Sequence, residues 1–139
     1  MLKGLAAQAK ISPGCRPLLI LAAFLPVAVW PEGAVKLLQC EFIRVCDAAG
    51  NCAPDDGRIS FRMEPDDLGA GGAGQYSLSY QDNMAQMQAV SDSGPFLWNL
   101  GSERNALIAS SENEWLWHSL TLEPVPGSDI RFLRCSFQQ

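Results

Sequence analysis

The chain has 139 residues, with ten basic and fifteen acidic side chains and a formal net charge of −5. A chain of this length accommodates one domain. The first 34 residues hold three of the basic side chains and one acidic one, which leaves seven basic against fourteen acidic side chains in the remainder. A surface with that excess of negative charge repels phosphate groups, so nucleic acid and anionic membranes are excluded as expected partners.

The N-terminus has the pattern of a secretory signal peptide. A basic lead without acidic residues precedes residues 17–30, an apolar run of fourteen residues without charge. This run is shorter than the roughly 20 residues with which a helix crosses a bilayer. We therefore predict a signal peptide over residues 1–34, cleaved near residues 28–34, and a single β domain over residues 35–139. An uncleaved segment that anchors the protein to the membrane is the alternative.

Beyond the signal segment, apolar and polar residues alternate, which is typical of strands with one buried face. The clearest case is residues 58–64, where Ile59, Phe61 and Met63 share one face. For residues 84–90 a helical turn competes, because alanine, methionine and glutamine are good helix formers. The pattern predicts about eight strands, over residues 40–46, 58–64, 75–81, 84–90, 96–100, 106–110, 114–123 and 130–137.

The links between these runs are short and rich in turn residues. We expect five prolines to lie between strands, where a missing backbone donor costs nothing: Pro54, Pro65, Pro95, Pro124 and Pro126. Short links join antiparallel neighbours, and a meander of this kind avoids open edges when its last strand meets its first. The predicted fold is all-β, an antiparallel meander that forms a small barrel or a strongly curled sheet.

Four cysteines, Cys40, Cys46, Cys52 and Cys135, bracket the predicted β domain. Cys40 and Cys46 would lie about 20 Å apart along one extended strand, beyond the reach of a disulfide. A hairpin centred on Ala49 brings Cys46, not Cys40, opposite Cys52. The predicted disulfides are therefore Cys46–Cys52 across the first turn and Cys40–Cys135 between the first and last strands. Alternation also predicts that Cys40, Phe42 and Cys46 share one face.

This use of cysteine favours an oxidising compartment, and we predict a periplasmic or secreted protein. The spacing does not fit a zinc site, and the sequence predicts no metal and no cofactor. The glycine-rich residues 69–74 spell G-x-G-x-x-G, but Pro65-Asp66-Asp67 precedes them and a strand pattern rather than a helix follows, so we interpret them as a flexible hairpin loop.

Two further patterns suggest catalytic chemistry only weakly. His118 and Ser119 are adjacent in a predicted strand, so their side chains point to opposite faces and cannot act together; we expect a half-buried structural histidine. The acidic residues of the turns are interpreted as solvated carboxylates, although a catalytic carboxylate pair is left open. These residues are Asp55, Asp56, Glu64, Asp66 and Asp67.

Aromatic residues are the remaining candidates for a binding site. Trp115 and Trp117 share one strand face, and Tyr76, Tyr80 and Trp98 lie in neighbouring runs. If that face lines the interior, the rings could stack on a small apolar or sugar-like ligand. Filling of the core is the favoured interpretation, because an eight-stranded barrel is just wide enough for its own side chains.

The export signal, the early cysteines and the cysteine near the C-terminus together resemble those of small exported bacterial β-proteins with paired cysteines. In outline the chain is also similar to lipocalin-like barrels, some of which inhibit proteases. The sequence favours a non-catalytic binding or interaction module of the cell envelope, which takes a small ligand or an envelope protein. The alternatives are a small periplasmic hydrolase or lyase, and a lipocalin-like protease inhibitor or small-ligand carrier.

Overall fold

The computed structural model describes residues 34–138, which form nine antiparallel strands. The predicted signal segment lies outside these residues, apart from Ala34. In chain order the strands are β1 (Lys36–Asp47), β2 (Cys52–Pro54), β3 (Arg58–Leu68), β4 (Gly74–Tyr80), β5 (Asn83–Ala89), β6 (Phe96–Leu100), β7 (Glu103–Ala109), β8 (Glu114–Thr121) and β9 (Gly127–Gln138). One short 3₁₀ turn, Ala70–Gly72, lies between β3 and β4.

Eight of the strands close into a barrel. From β3 to β9 each strand pairs with the next, and β1 pairs with β3 on one edge and with β9 on the other. The β1–β9 seam runs from Leu37 to Asp47 on β1. The ninth strand, β2, pairs with the end of β1, beyond the segment of β1 that pairs with β3; there Ala53 lies opposite Val45. The predicted all-β meander with a closing last strand is confirmed.

The barrel interior follows the alternation of the sequence. Ile59, Phe61 and Met63 on β3 are buried, as predicted, and the intervening residues face solvent. Residues 84–90 form a strand rather than a helical turn, and Met87 and Ala89 point into the core. Alternating buried residues of β1 and of β3 to β9 form one apolar core cluster.

A bulge in β1 changes which face its cysteines occupy. The pairing with β9 shifts between Phe42 and Arg44, so Phe42 lies opposite the buried Leu133 and Cys46 lies opposite the exposed Ile130. The prediction that Cys40 and Cys46 share one face is wrong, because the extra residue reverses the alternation. Cys40 points into the core, and Cys46 points outward.

Two prolines lie within strands rather than between them. Pro65 is in the middle of β3 at a second register shift, between Pro65 and Asp67, and Pro54 is the last residue of β2. A bulge or a strand end tolerates a residue that donates no hydrogen bond, which explains why these prolines do not stop the strands. The expectation that every proline separates two strands is corrected for these positions.

Two disulfides join the predicted pairs. Cys40–Cys135 links β1 to β9 across the seam, with both residues buried, and Cys46–Cys52 closes the hairpin between β1 and β2 on the outer surface. Asp47 completes that hairpin, because its carboxylate accepts hydrogen bonds from the backbone of Ala49 and Asn51. Such bridges indicate an oxidising compartment outside the cytoplasm.

Candidate functional site

The barrel has two distinct ends. The end that carries the start of β1 and the loops between β3 and β4, β5 and β6, and β7 and β8 is called the upper end. The lower end has the turns between β4 and β5, β6 and β7, and β8 and β9. All five aromatic residues predicted as candidates are buried, with 1 to 7% of their surface exposed: Tyr76, Tyr80, Trp98, Trp115 and Trp117.

The structure divides these five residues between the two ends. In the lower half, Phe61 lies at the centre of a group of rings, with ring-centre distances of 5.5 Å to Tyr80, 6.2 Å to Trp98 and 5.5 Å to Trp117. In the upper half, Phe96 packs at 6.3 Å from Tyr76 and 6.2 Å from Trp115. The rings pack against one another, so all five side chains belong to the core; Tyr76 also lines a cleft at the upper end, and Trp98 also lines a groove on the outside of the barrel.

A chain of buried polar groups crosses the lower half. Asn105 on β7 accepts hydrogen bonds from the Trp117 indole and the Ser119 hydroxyl, each at 2.8 Å. Ser119 also contacts the carboxylate of Glu103, and its single proton can serve only one of these two acceptors. The side-chain amide nitrogen of Asn105 is buried and has no partner among the described residues.

Two charged side chains point inward below these hydrogen-bonded polar groups. Arg131 and Asp129 on β9 form an ion pair at 2.6 Å, and each side chain is 30% exposed. The guanidinium of Arg131 lies 4.9 Å from the ring centre of Trp117, which is within range of a cation–π contact. The lower end is therefore polar, with charges that partner one another.

The upper end contains a cleft with a volume of about 610 Å³. It lies between the start of β1, the glycine-rich loop, the β5–β6 loop and the end of β9. Val35, Leu68 and Phe137 supply apolar wall, and Lys36, Asp66 and Asp92 supply charge. A concave site of this size, with apolar walls and a few polar groups, is typical of small-molecule pockets.

The glycine-rich loop forms one wall of this cleft, which we call the upper cleft. Gly71 and Gly72 have φ angles of 71° and 72°, which favour glycine. A Cβ atom on Gly72 would lie 2.5 Å from the Cβ of Asp92, and the Gly71 carbonyl accepts a hydrogen bond from the Asp92 amide at 2.9 Å. The glycines thus allow the β3–β4 hairpin loop to pack against the β5–β6 loop.

Lys36 lines the upper cleft. Its ammonium group donates to the backbone carbonyl of Asp92 and lies 5.9 Å from the ring centre of Tyr76. Burial lowers the pKa of the Lys36 amine, and the nearby Asp92 carboxylate opposes this only in part. The Tyr76 hydroxyl donates to the Gly72 carbonyl at 3.2 Å.

The chain has two tyrosines, and the pKa of each is raised. Burial is the main cause for both, and Asp92 adds to it at Tyr76. At Tyr80 the hydrogen bond from Trp98 opposes the effect of burial in part, and Glu103 adds to it. The folded state therefore favours the neutral phenol. Its contribution to stability is complete below the ordinary pKa of about 10 and is lost as the pH rises through the folded-state pKa values.

An alkaline titration tests this directly. We expect tyrosinate absorbance of the folded protein to appear only above pH 10.0, the ordinary tyrosine value, and the fold to be lost together with it. The protein unfolded in denaturant is the control and should titrate near the ordinary value. Tyrosinate that forms at that ordinary value while the circular dichroism stays native would contradict the predicted shifts.

A second concave region, the outer groove, lies on the outside of β5 to β8. The small side chain of Ala106 sits between Leu97 and His118 in one cross-strand row and leaves a shallow depression of about 610 Å³. Arg104 and amide side chains, including Gln88 and Asn99, line it. No acidic residue among the described residues is part of this lining.

The other residues considered in the sequence have ordinary structural roles. His118 is half-buried on the outer face, where its Nε2 atom lies 2.8 Å from the Ser128 hydroxyl, and Ser119 points to the interior. Asp55 accepts a hydrogen bond from the backbone of Gly57 within a turn, and Asp66 accepts one from Ser77. The histidine and the serine do not meet, and these carboxylates hold turns and hairpins.

Residues 34–138 contain no group of three or more histidine, cysteine or acidic side chains placed to bind a metal ion. None of the helical segments within that range is long and apolar enough to span a membrane. No protein-family model matches the chain, and no curated protein and no solved structure matches it significantly. The geometry of the described residues is therefore the basis for a functional proposal.

Proposed function

We propose that this protein is an exported binding module of the cell envelope, without catalytic activity, that takes its ligand in the upper cleft. One observation carries the proposal: the upper cleft joins about 610 Å³ of space to apolar walls and a half-buried lysine. Sites with these properties bind small molecules in many proteins. The lipocalin-like outline predicted from the sequence supports the same role, that of a small-ligand carrier.

Export is the second part of the proposal. The N-terminal segment has the composition of a signal peptide, and the two disulfides favour an oxidising compartment. We propose that residues 1–34 direct the chain to the periplasm or out of the cell. The excess of acidic side chains then serves solubility rather than contact with phosphates.

The interior of the barrel is a less suitable place for a ligand. Tyr80, Trp98 and Trp117 fill it together with Phe61, and each of these rings is at least 93% buried. A ligand there would have to displace aromatic packing that stabilises the fold. A ligand in the upper cleft would not have to displace these rings, because the space of the cleft lies between loops.

A small hydrolase is the second candidate, and one observation favours it. The Glu103 carboxylate contacts the Ser119 hydroxyl at the lower end of the barrel, where Asp129 and Arg131 also point inward. Carboxylates and a hydroxyl in one place are groups that hydrolases use. Under this candidate Glu103→Gln would abolish hydrolysis of a substrate; under the binding module it would leave ligand retention unchanged.

Native mass spectrometry of the protein purified from its own envelope tests the binding module. Phe137→Asp and Ile130→Asp are matched variants, because both residues lie on β9 and are 37% and 38% exposed, but only Phe137 lines the upper cleft. We expect the wild type and Ile130→Asp to retain a bound small molecule and Phe137→Asp to lose it. A bare wild-type protein, or equal retention by both variants, would contradict the proposal.

A further inference from the structure

Lys36 is the single lysine between residue 34 and the C-terminus, and it lies in the upper cleft. Its amine is fixed by the Asp92 carbonyl and by the face of the Tyr76 ring. An isolated lysine on an exposed strand would keep its charge in water. This one is half-buried between loops, within reach of whatever fills the cleft.

Lys36 places an amine on the wall of the upper cleft, beside its open space. Only the neutral amine has a free electron pair, and burial that lowers the pKa of Lys36 increases the neutral fraction at a given pH. Lysines placed in this way form imines with carbonyl compounds in other proteins. The cleft provides both the amine and space beside it.

The charges of the upper cleft select among ligands with a polar head. Asp66 and Asp92 lie in its lining with Lys36, so the lining carries two negative charges and one positive charge. A carboxylate head would be attracted by one group and repelled by two. A carbonyl head is neutral and avoids this repulsion, while an apolar tail fits against Val35, Leu68 and Phe137.

We propose that the upper cleft binds apolar aldehydes and that Lys36 holds them as a reversible imine, an inference that rests on the binding function proposed above. The electron pair of the Lys36 nitrogen attacks the carbonyl carbon, and the carbonyl π pair moves to oxygen. Two protons pass from nitrogen to that oxygen, which leaves as water, and a C=N bond forms. Addition of water reverses each step and releases the aldehyde, so the cycle needs no oxidant or reductant.

Reductive trapping with decanal and cyanoborohydride at neutral pH tests the imine. We expect peptide mapping to find one decyl group on Lys36. Lys36→Arg keeps the positive charge but cannot form the imine, so its trapping at this position should be lost. The double variant Lys36→Arg/Arg134→Lys moves the lysine to an exposed position on β9, and we expect that lysine to be labelled far more slowly than Lys36 under the same conditions.

Three outcomes would overturn the inference: a decyl group at the N-terminal amine instead of Lys36, equal labelling of the lysine introduced at position 134 in the double variant, or no labelling at all. Binding of decanol and decanoate, neither of which forms an imine, tests the binding function separately from the imine. If decanol binds in native mass spectrometry but decanal is not trapped, the cleft binds apolar ligands and the imine is wrong. If decanoate binds more tightly than decanol, the argument from charge is wrong.

Discussion

Replacement of Cys40 and Cys135 by alanine is expected to lower the free energy of unfolding by about 5 kcal/mol, because the bridge closes a loop of nearly the whole domain. The two cysteines are 95 positions apart in sequence. Without the bridge, the unfolded chain gains the freedom of that entire loop. A loss of this size is a large part of the 5–15 kcal/mol or so by which domains of this kind are stable.

Cys46 and Cys52 provide the matched control within the same strand. They are 6 positions apart, so the same chain-entropy argument gives a loss of about 2 kcal/mol for their double replacement by alanine. Cys40 and Cys135 are also buried in the core, whereas Cys52 is exposed. The Cys40–Cys135 bridge is therefore expected to stabilise the fold more than the Cys46–Cys52 bridge, because its loop is longer and its cysteines are buried.

Equilibrium unfolding in urea measures both double variants. We expect the Cys40/Cys135 variant to have the lower midpoint of unfolding. Equal losses in the two variants would show that loop length does not govern the stabilisation. A larger loss for Cys46/Cys52 would contradict the assignment of the seam bridge as the main covalent tie.

Phe61→Ala is expected to lower the free energy of unfolding by about 3–5 kcal/mol, the range for removal of a buried phenylalanine. Phe61 has no exposed surface and contacts Tyr80, Trp98 and Trp117 through its ring. Its removal leaves a cavity at the centre of the lower rings. The rings around that cavity lose their edge-to-face contacts as well as apolar burial.

Leu97→Ala is the control for this substitution. Leu97 is 43% exposed on the outer face of β6, and its truncation should change stability by less than about 1 kcal/mol. Urea unfolding followed by tryptophan fluorescence reports on both variants, because Trp98 and Trp117 border the new cavity. A loss at Phe61 no larger than that at Leu97 would mean that the interior repacks, and that the barrel centre is less rigid than its burial implies.

The fold was predictable because its two strongest determinants are local. Alternation in residues 58–64 identifies the buried face of β3 without knowledge of its neighbours. The disulfides followed from strand spacing, which excludes Cys40–Cys46. The bulge after Phe42 was not predictable, because it depends on how β1 and β9 align over their whole length. It reverses the faces of the β1 residues that follow it, among them Cys46.

The polar interior of the lower half was missed for a different reason. Asn105 precedes Leu107 by two positions and Ser119 follows Trp117 by two, so the alternation already places both on the inner face. A search that looks for apolar residues at those positions passes over them. Extension of each alternating run to its polar ends would have identified them as buried.

The upper cleft could not be predicted from the sequence. Its lysine, tyrosine, aspartate and phenylalanine come from β1, β4, the β5–β6 loop and β9. None of these residues belongs to a recognisable motif in its own segment, and the spacing between them in sequence does not indicate a binding site. Only closure of the barrel brings the start of β1 beside the end of β9.

That closure also sets the order in which an exported chain can complete its fold. Contacts between the first and last strands are far apart in sequence, and loop closure must be accomplished before they stabilise anything. A chain that crosses a membrane N-terminus first exposes β1 well before β9 follows. Until then one edge of β1 has no partner, and Cys40 lacks its native partner, Cys135. Under the export proposed above, closure of the barrel and formation of its seam disulfide would come at the end of translocation.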